Sequence, residues 1–124
     1  MLRDSAAFSG FSTDDTSAAK AFYADLLGLE VTEENGMLTL HLTGGATVLV
    51  YPKGADHQPA TYTCLNFPVP DIDAAIDDLV SRGVTFERYD GLDQDERGVM
   101  RAYGPPIAWF RDPAGNILSL IEQG

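Results

Sequence analysis

Two stretches of the chain place apolar residues at helical spacing, and each is followed by shorter stretches with the two-residue period of strands. From Asp15, the residues Ala19, Phe22, Tyr23 and Leu26 fall on one helical face, and Gly28 stands where a helix ending at Leu27 would stop. From Asp71, the residues Ile72, Ala75, Ile76, Leu79 and Val80 repeat the pattern, with Asp71 as the first-turn cap and Gly83 as the stop. Superposing Asp15 on Asp71 matches Phe11 with Phe67, Ala18 with Ala74 and Ala19 with Ala75, so the chain reads as one unit written twice. Strands are predicted over 29–33, 37–42 and 47–51 in the first unit, divided by Asn35-Gly36 and Gly44-Gly45. In the second unit they are predicted over 84–89, 107–111 and 117–121, the last two joined through Asp112-Pro113-Ala114-Gly115-Asn116.

A strand precedes each helix, so each unit is β-α-β-β-β. Neither is large enough to bury its own helix and sheet, and the two are expected to share a core. The fold class is α+β: two tandem βαβββ modules forming a curved, cup-like mixed sheet with the helices outside. The chain is expected to be a single domain over 1–124, with module 1 at about 6–52 and module 2 at about 62–122. The sheet face away from the helices also carries apolar residues, which suits a cavity for a small ligand. One connection, at about 90–106, is much longer than the usual two to five residues. It reads as a solvated charged loop, as a disordered segment, or as a lid in which Arg101 and Tyr103 close over the cavity and meet a ligand's polar end.

Composition narrows the function classes. At 124 residues with 44% hydrophobic content the chain can hold a core without staples, and Cys64, the sole cysteine, allows no internal disulfide. Nineteen acids against eight bases give a formal charge of −11, which would repel a phosphate backbone, so nucleic acid is a poor partner while a cationic ligand would be steered favourably. No run of about 18 apolar residues and no secretory pattern occurs, so a cytoplasmic protein without membrane contact is expected.

The segments Ala21-Phe22-Tyr23-Ala24-Asp25-Leu26-Leu27-Gly28-Leu29-Glu30-Val31, Asp71-Ile72-Asp73-Ala74-Ala75 and Phe110-Arg111-Asp112-Pro113-Ala114-Gly115-Asn116-Ile117 resemble those of the vicinal oxygen chelate superfamily. This group contains glyoxalase I, bleomycin resistance proteins, fosfomycin resistance enzymes and extradiol dioxygenases. The resemblance implies the βαβββ repeat and a homodimer. In metal-dependent members it also implies ligands, typically His or Gln and then Glu, on the first and last strands of each unit. The matching positions here hold Phe8 and Leu49 in the first unit and Cys64 and Ser119 in the second. One thiol among Phe, Leu and Ser supplies no catalytic metal shell, so neither a metal nor another cofactor is expected.

What remains is a family-like protein binding a small amphipathic or aromatic molecule in the sheet cavity. Its alternative is a glyoxalase- or dioxygenase-type enzyme, using an unrecognised metal site or metal-free acid–base chemistry at His41. Alternation puts Thr39 and His41 on one face and Leu38, Leu40 and Leu42 on the other; His41 is thus the one weak catalytic candidate, its plainer reading being a half-exposed strand residue. His57, in a polar connection, reads as solvated. The expected ligand-binding set is Phe8, Ser12, His41, Tyr51, Cys64, Asn66, Arg101, Tyr103, Trp109 and Ser119. Asn66 is placed on the face of Cys64 by alternation, Cys64 reads as an inert thiol or a nucleophile, and Trp109 either stacks on a bound ring or fills the core.

Overall fold

Asp15 and Asp71 start the two main helices in the same way. Each is extended, and its carboxylate accepts from the main-chain N–H three residues on, at Ala18 and Ala74, both at 3.1 Å. In the computed structural model, which describes residues 1–123, helix α1 (Thr16–Lys20) continues directly as a π-helical turn, Ala21–Leu26. That turn carries Phe22 and Tyr23, both buried and packed edge-on at 5.1 Å, with Tyr23 also against Phe11. Helix α2 (Ile72–Ser81) buries Ile72, Ile76 and Leu79, each stabilising the fold by about 1.5–3 kcal/mol relative to exposure. Val80, expected on the same stripe, is exposed, because the stripe is narrower than its sequence pattern.

The chain divides into two compact units, Met1–Gln58 and Pro59–Gly124, and its strands form two small mixed sheets. In the first unit, β1 (Ser9–Thr13), β2 (Glu30–Glu34), β3 (Met37–His41) and β4 (Thr47–Pro52) lie in the order β1-β4-β3-β2, with β1 parallel to β4 and the other pairs antiparallel. Asn35 and Gly36, with φ of 55° and 76°, make the predicted tight hairpin between β2 and β3. Phe11, Thr13, Leu38, Leu40, Val48 and Val50 form the buried face, as alternation requires.

The second unit repeats the topology with one departure. Strands β5 (Thr63–Val69), β6 (Ile107–Arg111) and β7 (Ile117–Glu122) lie in the order β5-β7-β6, again with the first strand parallel to the last. The strand expected over 84–89 does not form a ladder. It is attached to β6 by one main-chain bond, Glu87 N–H to the Trp109 carbonyl at 2.8 Å, in the place that β2 takes beside β3. Gln94 is the reason: its side-chain amide bonds the Tyr89 N–H, the Glu87 carbonyl and the Gly98 carbonyl at 2.7, 3.0 and 2.8 Å, so a side chain replaces the ladder.

The 90–106 connection is ordered by contacts with its own unit. Met100 bridges to both Gln94 and Ile107, and the Asp95 carboxylate accepts from the N–H groups of Arg97 and Val99, each at 2.9 Å. Arg101 was expected over the cavity, but its guanidinium meets Asp73 of α2 at 3.0 Å and Asp95 at 3.2 Å, on the helix side of the sheet. Arg97 pairs with Asp77 and Asp73 of the same helix. Asp73 and Asp77 of α2, paired with these two guanidiniums, thus draw the connection toward α2 and away from the lid position.

Candidate functional site

On the second sheet the face away from α2 is built by residues in register. Ser119 lies between Asn66 on β5 and Trp109 on β6, with Ile117 and Ile121 on either side of it along β7. Ser119 is fully buried and donates to Asn66 Oδ1 at 2.5 Å, while Asn66 itself is exposed. Trp109 is half-buried, its Nε1–H donating to Thr63 Oγ1 at 3.1 Å, and its ring stands edge-to-face with Tyr89 at 5.7 Å and 78°. Of the two readings of Trp109, the face it occupies is the open one rather than the helix-side core, where Phe110 and Leu118 are buried.

Thr61, Tyr62, Thr63, Tyr89, Trp109 and Ile117 enclose a recess of about 240 Å³, open on one side. Three of these six are aromatic, and Tyr62 leaves much of its ring exposed. The Tyr89 hydroxyl is closed off from solvent and has no hydrogen-bond partner among the described residues. Burial pushes this phenol up from its usual value; Arg111 pulls it back and Glu87 raises it again. Arg111 is itself held by Glu87 and donates to the Gly115 carbonyl at 3.2 Å.

Cys64 does not share the face of Asn66 through simple alternation. The ladder runs Thr63 to Ile117 and then Leu65 to Leu118, leaving Cys64 as the extra residue of a bulge. Burial raises its thiol, the Asp112 carboxylate raises it further, and a bond to the Ile117 backbone only partly offsets them, so the neutral form is favoured over the thiolate. Tyr103 is 80% exposed in the connection, two residues past Arg101.

In the first unit, Ser12, Thr39, His41, Leu49 and Tyr51 share the face away from the buried core. His41 is fixed by Thr32, Nε2 to Oγ1 at 2.9 Å, and Ser12 Oγ lies 2.7 Å from His57 Nδ1. His57 is thus half-buried and bonded to β1, where a solvated side chain was expected. Gly10 permits close strand approach: a Cβ there would come within 3.1 Å of the Leu49 carbonyl. Phe8 precedes β1 and is 64% exposed.

The positions at which family resemblance implies metal ligands do not fit a divalent ion. Phe8 and Leu49 are hydrocarbon, Ser119 is committed to Asn66, and Cys64 is held as a thiol. Among the described residues no three or more His, Cys, Asp or Glu side chains are grouped to hold a metal.

Sequence reasoning missed Tyr89, Thr63 and Tyr62. Tyr89 had a signal, because the strand spacing of 84–89 puts it on the face of Glu87, opposite Phe86; Thr63 and Tyr62 had none, since they belong to the approach to the bulge. A larger recess, about 390 Å³, lies on the helix side between α2 and 84–88. It has Ile76, Val80 and Val84 among its lining, but its charged members Arg97 and Asp77 are already paired with each other.

This duplicated architecture is matched by comparison. The family model of the glyoxalase/bleomycin resistance protein/dioxygenase superfamily matches residues 7–120, and the chain belongs to that superfamily. A crystal structure of a superfamily member from Sphaerobacter thermophilus DSM 20745 is similar at 27% identity and a TM-score of 0.71, covering 94% of this chain and 95% of that one. A glyoxalase family protein from Enterococcus faecalis is similar at 25% identity and 0.69, with 98% of each chain covered. TnmS3, an antibiotic binding protein from Streptomyces sp. CB03234, shares the fold at 22% identity and 0.67, with 95% of this chain and 96% of that one covered. No curated protein matches the sequence. Among the described residues no helix is long and apolar enough to cross a membrane.

Proposed function

We propose that this protein is a metal-independent binder of a small aromatic or amphipathic molecule, which it receives on the open face of the second sheet. The observation that carries the reading is the recess walled by Trp109, Tyr89 and Tyr62 over Ile117, an aromatic slot beside a few polar groups. At about 240 Å³ it is smaller than the ~300–1,000 Å³ of sites that enclose drug-sized molecules, so it suits one flat ring system or one end of a larger ligand. The poor fit of Phe8, Leu49, Cys64 and Ser119 to a metal supports binding over inherited metal chemistry, and the antibiotic-binding relative of the same fold supports the ligand class. The reading includes a homodimer, supported by the exposed edge strand β2 and checked by light scattering, and a cytoplasmic setting.

The test uses Trp109, the sole tryptophan, as reporter. A naphthyl hydrocarbon titrated into the protein is expected to perturb the Trp109 emission and its indole N–H resonance, to the same extent before and after dialysis against a chelator. Trp109→Ala, followed through the naphthyl probe's own emission, is expected to weaken binding about tenfold or more. His41→Ala, on the other sheet, is expected to leave affinity unchanged. Turnover that requires a divalent ion, or that disappears with His41→Ala, would overturn the reading in favour of an enzyme.

A further inference from the structure

We propose that Gln94 is a positioning residue of the recess: it fixes the Tyr89 wall without touching the ligand, so that the 90–106 connection regulates ligand affinity from the helix side of the sheet. The inference rests on the binding function above and adds its regulation. Tyr89 lines the recess, whereas Gln94 and its neighbours in the connection do not. The segment that carries Tyr89 is fastened to β6 at Glu87, whose N–H meets the Trp109 carbonyl at 2.8 Å and whose carboxylate meets Arg111. Past Glu87, among the described residues, no main-chain bond joins the segment to the sheet. Instead the Tyr89 N–H donates to Gln94 Oε1 at 2.7 Å, and the Arg88 guanidinium donates to the Asp95 and Gln94 carbonyls at 2.7 and 3.3 Å. The Tyr89 ring then meets the sheet edge-on to Trp109, the other aromatic wall.

Gln94 acts in this way only while the connection holds it. Its Nε2 donates to the Glu87 and Gly98 carbonyls at 3.0 and 2.8 Å, and its main chain bridges Met100. Beside it, Asp95 accepts from the Arg97 and Val99 N–H groups and from the Arg101 guanidinium. Arg97 and Arg101 pair in turn with Asp73 and Asp77 of α2. One side-chain amide therefore joins a wall of the recess to a network behind it. With the wall fixed, a flat ring meets Trp109 and Tyr89 already in place. With Gln94 released, binding must first order the wall, and affinity falls with the fraction of molecules in which it is ordered. Linkage makes the effect reciprocal: a ligand that needs the ordered wall stabilises the connection that orders it.

The experiment titrates the same naphthyl hydrocarbon into wild type and Gln94→Met, which keeps the length of the side chain and removes its three hydrogen bonds. Affinity, read from the probe's emission and the Trp109 indole N–H resonance, is expected to fall about tenfold. In wild type, the probe at about ten times its Kd is expected to slow hydrogen exchange about tenfold at the Arg97 and Val99 amides, which lie outside the recess. The Ala74 amide, bonded to Asp71 at the start of α2, is expected to exchange as before. In Gln94→Met, at the same multiple of its own Kd, the probe should no longer slow Arg97 and Val99, a loss of coupling that a merely structural role for Gln94 would not produce. Equal affinity of the two proteins overturns the proposal, as does probe-dependent protection that persists in Gln94→Met. Wild-type exchange at Arg97 and Val99 that ignores a bound probe overturns it without any substitution. Failure of the probe to bind wild type at all overturns the binding function and this proposal with it.

Discussion

Asp112 is the one buried carboxylate among the described residues, and it holds the turn between β6 and β7. It is 4% exposed, its Oδ1 accepts from the N–H groups of Ala114 and Asn116 at 2.9 Å each, and its Oδ2 accepts from the Asn116 amide at 3.1 Å. Asn116 Oδ1 in turn accepts from Ala60 N–H at 3.1 Å, which ties the start of the unit to the β6–β7 turn. Asp112→Ala therefore strands buried donors and is expected to cost about 3 kcal/mol, measured by urea denaturation. Gly115→Ala should also destabilise, by about 1–3 kcal/mol. Its φ of 84° is left-handed, and a Cβ would stand 3.1 Å from Pro59 Cβ. The turn was legible in the sequence because Asp, Pro, Gly and Asn each have a single conformational use there. Cys64 and Asn66 were not, since a bulge changes which residues share a face and leaves no compositional trace.

At the scale of elements, both helix starts, both glycine stops and five of the six strands predicted over stated ranges are where periodicity puts them, give or take a residue, because each is set by local spacing. Periodicity did not reveal how the 84–89 segment is held or where the long connection goes, since both depend on partners distant from the pattern, Gln94 for one and the acids of α2 for the other. Asp95 is the centre of that connection. Burial raises its carboxyl, but bonds from the N–H groups of Val99 and Arg97, then the Arg101 guanidinium, outweigh it and leave the group below its ordinary value. A carboxyl depressed in the folded protein takes up its proton first in the unfolded chain as pH falls. Its stabilisation is accordingly present above about pH 4 and lost as the pH drops through the folded value. Hydrogen exchange at the Val99 and Arg97 amides is expected to lose protection across that acid range, and Asp95→Ala to abolish the acid dependence at a cost of about 1–2 kcal/mol. Protection unaltered by the substitution would mean that the Met100 bridges, Gln94 and the pairs with Asp73 and Asp77 hold the connection without Asp95.

For the whole molecule, the net charge of −11 acts at a distance that no single contact reaches. Lys20, Arg82, Arg97, Arg101 and Arg111 are each paired with a carboxylate, so five of the eight bases are neutralised locally and the long-range field is left to the surplus acids. In the binding function proposed above, that field leaves the choice of ring system to the recess and changes how fast a charged ligand arrives. A naphthyl ammonium probe is expected to associate about tenfold faster than a neutral naphthyl probe near 10 mM salt, where screening sets in only beyond about 30 Å. At about 150 mM, with a screening length near 8 Å, most of the difference should vanish, while the dissociation rates of both probes change little. Stopped-flow measurement of Trp109 emission separates the two rates. A cation advantage that survives high salt would place a carboxylate in direct contact with the bound probe, leaving the surplus charge without a part in recruitment.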